Sequence, residues 1–156
     1  MSLSVYDQFK QLTPHEQQYI TAHPHHAFAI NSSKEAAFRE TKMRFGFNGR
    51  NDKSDAFRHC FWSAILAREI AYSGALQFTT AHESSSLNPK DEKEMDLHNN
   101  GVGLSIGRIG GADHPSSTVQ PQKTRFLRNR VSVYAGCRPI FQKVVWWHVC
   151  NNTLQY

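Results

Sequence analysis

Apolar positions in the first two thirds of the chain recur at helical spacing, and capping residues punctuate them. Val5, Phe9 and Leu12 share one side of a short helix. Thr13-Pro14-His15-Glu16 then supplies an N-cap, a proline at the first helical position and a glutamate at the third. The predicted helix turns Tyr19 and Ile20 inward and ends near His23-Pro24, because the residue before a proline is pushed out of the α region. Ser32-Ser33-Lys34-Glu35 reads as a second capping box, opening a helix that stops at Phe45-Gly46. Asn48 to Asp52 is a polar turn, and Asp52 or Ser54 is expected to cap the helix that follows.

That central helix is predicted to run to about Ala71 or Tyr72, with Gly74 ending or bending it. At about 100° per residue, Asp55, Arg58, His59 and Trp62 fall in one narrow stripe, while Phe57, Cys60, Phe61 and Ala64 gather on the other side. A surface helix would present Lys, Glu and Gln to water. An acid, a guanidinium, an imidazole and an indole together fit either the wall of a site or a buried structural cluster. Ala75 to Glu83 is expected to form a shorter helix with His82 and Glu83 at its C-terminal end. Ser84 to Asn88 reads as a loop, and Glu92 to about Ile106 as a further helix. The expected fold is a single, mainly α domain over residues 1–111, on which a basic extension, residues 112–156, is expected to pack. Lys143 to Cys150 has β-type composition and suggests a short β element near the C-terminus.

A chain of 156 residues suits one domain with a real core, and no apolar run approaches the roughly 20 residues of a membrane span. The three cysteines, Cys60, Cys137 and Cys150, are odd in number and contain no C-x-x-C pair, which indicates neither a disulfide framework nor a zinc knuckle. The start of the sequence lacks the basic-then-apolar order of a secretory signal, so export is expected to proceed without a cleaved signal peptide. The net charge of +5 is unevenly placed: residues 115–156 carry Lys123, Arg125, Arg128, Arg130, Arg138 and Lys143 but no acid. Such a tail attracts phosphate-rich partners, such as nucleic acid or anionic lipid, or an acidic protein, unless it is simply a solvated surface.

Candidate chemistry sits in three blocks: Asp55/Arg58/His59/Trp62, His82-Glu83, and Met95-Asp96-Leu97-His98-Asn99-Asn100. Imidazoles and carboxylates so grouped bind a divalent cation or share a proton in acid–base work. H-E-x-x-H, G-x-S-x-G, Walker and dinucleotide signatures are all absent. On a helix Asp96, Asn99, Asn100 and Gly103 share a stripe and His98 points away, whereas an extended segment would put Asp96 and His98 on one side. Glycines directly after two asparagines suggest close approach by another backbone or a ligand.

The blocks D-A-F-R-H-x-x-W (Asp55 to Trp62), T-A-H-E (Thr80 to Glu83) and M-D-L-H-N-N (Met95 to Asn100, with Gly103) resemble a family of small, mostly helical domains in bacterial polymorphic and secreted toxins. The resemblance covers roughly Thr13 to Gly107. It implies an antibacterial effector delivered into a target bacterial cell, with hydrolytic activity, a secretion-system carrier and a cognate immunity protein. Residues and resemblance together predict that His59, His82 and Asp96 converge as metal ligands or acid–base groups, with Glu83 and His98 next. Asp55 would orient His59 or hold Arg58. Arg58 would face an anionic group, Trp62 would form an apolar wall, and Asn99 and Asn100 would join the substrate contacts. The leading substrate is a cell-envelope molecule, a phospholipid or a lipid-linked peptidoglycan precursor. The alternatives are a nuclease acting on DNA or RNA, favoured by the basic tail, and a binding or adaptor module without catalysis.

Overall fold

Helix α2 (Pro14–Ala22) begins where the sequence places it. Thr13 Oγ1 accepts from the Glu16 backbone N–H at 3.2 Å, and the Thr13 N–H donates to Glu16 Oε2 at 2.7 Å, which satisfies two otherwise orphaned donors. The same hydroxyl donates to the Ala81 carbonyl at 3.0 Å. The start of α2 is thereby tied to a segment far along the chain. The computed structural model describes residues 5–85 and 89–108. Along them run α1 (Val5–Lys10), α2, a 3-10 turn (Pro24–His26), α3 (Ala27–Phe45), α4 (Lys53–Glu69), α5 (Ala71–His82) and α6 (Lys90–Arg108). Among the described residues there is no strand, so this part of the chain is mainly α, a compact helical domain. The expected β element at Lys143 to Cys150, residues 112–156 as a whole, and Cys137 and Cys150 lie outside the described residues.

Two expected boundaries move. Helix α3 starts at Ala27 straight after the proline turn and passes through Ser32 and Ser33 without a break. The Ser33 hydroxyl bonds back to the carbonyls of Ala29 at 2.7 Å and Ile30 at 3.0 Å, so it serves a helix interior instead of capping a start. The end of α3 is as expected, with Gly46 left-handed at φ 79°. Gly74 does not end the central helix. The break falls at Ile70 and at Ala71, whose φ is 63°, and Gly74 lies inside α5, where the Tyr19 hydroxyl approaches to 2.8 Å of where a Cβ would be. Asp52 is the α4 cap, its Oδ1 accepting from the backbone of Ser54 at 2.8 Å and of Asp55 at 3.0 Å.

Helix α4 is the centre of the fold, packed against α3, α5 and, most extensively, α6. Phe61, Ile65 and Leu66 of α4 are fully buried with Phe78 of α5 and Leu104 of α6. Each such side chain contributes about 1.5–3 kcal/mol by leaving water. The contact with α6 is backbone on backbone. A Cβ on Gly103 would fall on the Cys60 peptide, 2.9 Å from its carbonyl carbon, and one on Gly107 would meet the Ala64 carbonyl and lie 2.6 Å from the Ala67 Cβ. Contacts ascend together along both helices, so α4 and α6 run in the same sense. Their N-terminal halves, carrying Asp55 and His59 on one and Asp96 on the other, are brought side by side. Cys60 is a buried thiol in this seam. Among the described residues no helix is long and apolar enough to cross a membrane.

The seam can be tested by adding one methyl group at a time. Gly103→Ala should destabilise the fold by roughly 1–3 kcal/mol through overpacking, whereas Gly101→Ala, with no atom within 4 Å of the new Cβ, should stabilise by up to about 1 kcal/mol through helix propensity. Urea denaturation of both variants checks this, and equal effects would show that the two helices are not in close contact.

Candidate metal centre

On α4, Asp55 and His59 are one turn apart and face Asp96 of α6. His59 Nε2 lies 3.5 Å from Asp55 Oδ1 and 3.5 Å from Asp96 Oδ1. Both distances are too long for a hydrogen bond. They match the separation of about 3.4 Å expected between donors that share one ion at tetrahedral angles and bond lengths of about 2.1 Å. The three ligand atoms all lie within 4.8 Å of one another, and all three residues are more than four-fifths buried, so this group could hold a metal ion. Asp96 Oδ1 is buried and makes no hydrogen bond among the described residues. A carboxylate oxygen without water or a donor is costly, and a cation is one way to satisfy it.

The electrostatics point the same way. Burial, joined by the positive charges of His82 and Arg58 and opposed by the Asn100 side chain, pushes the His59 imidazole down to about 3. The ring is therefore neutral at physiological pH and has a lone pair to offer. Burial, with the negative charges of Glu83 and Asp55, pushes the Asp96 carboxyl up to about 7, against the pull of His82 and Arg58. Burial likewise raises Glu83, with Glu16 and Asp55 adding to it, although His82 and the Asn100 hydrogen bond oppose the shift. Too much negative charge is gathered here for every acid to ionise easily without a further cation.

Around the triad, each neighbour has a definite task. Glu83, just past the end of α5, accepts from Asn100 Nδ2 at 3.1 Å and faces His59 Nδ1 at 3.6 Å. Asn100 Oδ1 in turn accepts from the Ser63 hydroxyl at 2.7 Å. Asn100 therefore bridges α4, α6 and the end of α5. Asn99 and Asn100, expected among the substrate contacts, are both 2 % exposed, and Asn100 lies in the floor of the site between Ser63 and Glu83. Arg58 forms a close ion pair with Asp55 Oδ1, donates to the Gly49 carbonyl at 3.1 Å and lies over the Phe38 ring at 4.9 Å. Its guanidinium holds Asp55 in place. The Asn51 N–H fixes the other Asp55 oxygen at 2.7 Å. Trp62 is a wall, its ring 5.0 Å from the His82 ring and 6.4 Å from the His59 ring.

His59 and His82 do converge, with ring centroids 6.1 Å apart. His82 is nevertheless not part of the ligand group; its place in the expected set of His59, His82 and Asp96 is taken by Asp55. No His82 ring nitrogen joins the cluster of ligand atoms that lie within 4.8 Å of one another; its Nδ1 is bonded to Glu16 Oε1 at 2.8 Å. His98 is exposed on α6, off the stripe shared by Asp96, Asn99 and Asn100, and is not brought to the site. Sequence reasoning missed Glu16, Ser63 and the Asn51 amide. Glu16 had a visible signal, but one that pointed only to capping. A separate groove of about 600 Å³ between α2 and α5, lined by residues including His15, Tyr19, Leu76 and Thr80, contains none of the triad.

Residues 17–129 match the family described as "Domain of unknown function (DUF6973)". The match spans most of the 156-residue chain, and the chain belongs to that family. No curated protein and no solved structure matches it.

The raised Asp96 carboxyl has a consequence for stability. The folded chain keeps a proton on Asp96 that the unfolded chain loses above the ordinary value of 3.8, so stability falls as pH rises from 3.8 toward about 7. In chelator-treated protein, Asp96→Asn should remove roughly 2–4 kcal/mol of that fall, gaining on the wild type at pH 8 and little at pH 4. Urea melts across this range provide the check. An unchanged slope in Asp96→Asn would mean that the carboxyl is not strained in the fold.

Proposed function

For this member of the DUF6973 family, we propose that Asp55, His59 and Asp96 hold a divalent cation and that the domain is a metal-assisted hydrolase. One observation carries the reading: a neutral imidazole nitrogen stands 3.5 Å from an oxygen of each of two buried carboxylates. Neither gap is bridged by a hydrogen bond. One imidazole with two carboxylates suits zinc or manganese, and three protein ligands leave coordination positions open, as in catalytic rather than structural sites. A cation held by Asp55, His59 and Asp96 would supply Lewis-acid polarisation of a phosphoryl or carbonyl oxygen and would make water a better nucleophile. Trp62 would shield the reacting groups from bulk water. Lys34 is exposed on α3 and its charge acts on His82, so it would add to the attraction of an anionic substrate.

The substrate class that fits is an ester or phosphoester on an anionic molecule, foremost a phospholipid or a lipid-linked peptidoglycan precursor. The resemblance of the three motif blocks to toxin domains supports an antibacterial effector with an immunity protein, a secretion-system carrier and a target in another bacterium. A nuclease is the second reading, favoured by the acid-free basic segment of residues 115–156.

Stripped protein titrated calorimetrically with Zn²⁺ or Mn²⁺ should bind one ion. His59→Ala should weaken binding by more than about 100-fold, beyond the 10–100-fold typical of residues that merely support a ligand. Envelope lipid extract and nucleic acid, each incubated with and without chelator, then separate the substrates. Chelator-sensitive lipid cleavage is the expected result; degraded DNA or RNA alone would establish the nuclease, and failure to bind either ion would refute the metal centre.

A further inference from the structure

Glu16 is 4 % exposed and both of its carboxylate oxygens are in use. Oε2 accepts from the Thr13 N–H, and Oε1 accepts from His82 Nδ1, 66 residues away in the chain, at 2.8 Å. A helix cap needs only the first of these bonds. The second fixes the histidine. With Nδ1–H directed at a buried carboxylate, Nε2 is the one ring nitrogen through which His82 can exchange a proton with anything else. The side chain is 42 % exposed, against 12 % for His59, so it is the accessible imidazole of the pair. Trp62 stands edge-on to it at 5.0 Å and flanks both histidines. Position, orientation and access are those of a group that meets substrate at the mouth of the site, beside the triad and not within it.

We propose that His82 is the proton-transfer residue of this site and that Glu16 is its positioning residue, an inference that rests on the hydrolase reading. In the step it performs, the oxygen of water bonds to the carbonyl or phosphoryl atom of the substrate and the bond from that atom to the ester oxygen breaks. His82 Nε2–H gives its proton to the departing oxygen, the proton of the attacking water passes to solvent, and His82 takes one back from solvent. The sum is water plus ester giving acid plus alcohol. An alkoxide is a poor leaving group, so a donor at this place acts where the barrier is high. The Glu16 carboxylate keeps the ring in the one tautomer and plane that direct Nε2 outward, and it favours the imidazolium that must re-form after each turnover. The cap of α2 thus doubles as the anchor of a reacting group.

The test uses the full chain loaded with Zn²⁺ or Mn²⁺ for kinetics, and its zinc form for long-range proton–nitrogen NMR of the histidine rings at alkaline pH, where imidazole is neutral. The expected wild-type spectrum has His82 protonated on Nδ1, and Glu16→Gln should lose that single tautomer. With phosphatidylethanolamine–phosphatidylglycerol vesicles and a single-stranded DNA oligonucleotide as probes, Glu16→Gln should lower kcat about 10–100-fold. His82→Gln should lower it by about 10²–10⁴-fold. Bound metal should stay at the wild-type level in both. Thr13→Ala removes the cap of α2 and its tie to the Ala81 carbonyl but neither partner of the Glu16–His82 bond, so it should melt earlier yet keep the tautomer and far more of kcat than Glu16→Gln. A wild-type His82 protonated on Nε2, a His82→Gln variant with undiminished kcat or with its metal lost, or a Thr13→Ala variant as slow as Glu16→Gln would each overturn the proposal. A metal-loaded wild type that cleaves neither probe would overturn the hydrolase reading and this role with it. The NMR result would still show separately whether Glu16 holds His82.

Discussion

The backbone of α6 lies directly on that of α4, and the site exists only because it does. Two glycines one turn apart, Gly103 and Gly107, leave no side chain between α6 and the peptides of Cys60 and Ala64. Van der Waals attraction falls off so steeply that a gap of one methyl group would forfeit much of the seam's contact energy. It would also carry Asp96 away from His59. The distances that make Asp55, His59 and Asp96 a group are therefore inherited from packing deeper in the helix pair. Asn100 reinforces the arrangement from the same stripe, joining Ser63 of α4 to Glu83 at the end of α5.

The α4–α6 seam, with α2 docked on the end of α5, gathers four carboxylates, Glu16, Asp55, Glu83 and Asp96, in one partly dry region, where like charges raise each other's cost. Asp55 and Glu16 each have a close cationic partner, Arg58 and His82 respectively. In the Glu16–His82 pair, burial raises the acid and lowers the base, yet the hydrogen bond and mutual charge win, so Glu16 falls below and His82 rises above its ordinary value. Among the described residues Asp96 has no such close partner, and its carboxyl is pushed to about 7. The site is thus built with one acid and one neutral imidazole in reserve, which is the condition a metal ion resolves.

Much of the helical framework was legible because it is written in local chemistry. The Thr13–Glu16 box, the proline stop before Pro24 and the Gly46 cap each depend on residues within a few positions. The false start at Ser32 shows the limit of that logic: a serine hydroxyl bonds equally well to the carbonyl of the preceding turn, and neighbouring letters do not say which it does. Helical periodicity also found half of the site, since the stripe of Asp55, His59 and Trp62 and that of Asp96 and Gly103 follow from rotation per residue. It separated His98 from Asp96 once the segment proved helical. What no spacing could supply was the contact between α2 and α5. Without it Glu16 read only as a cap, and the sequence grouped His82 with His59 and Asp96, whereas the group that could hold a metal ion has Asp55 with them.

The central claim is that a helix seam without side chains creates one cation site at its acidic end. Its most direct test is anomalous diffraction at the manganese or zinc edge from crystals of the full chain grown with that ion. The account predicts one strong peak within bonding distance, about 2.0–2.2 Å, of His59 Nε2 and of an oxygen from each of Asp55 and Asp96, with His82 still bonded to Glu16. A peak coordinated by His82, or none between α4 and α6 in crystals containing the ion, would contradict it.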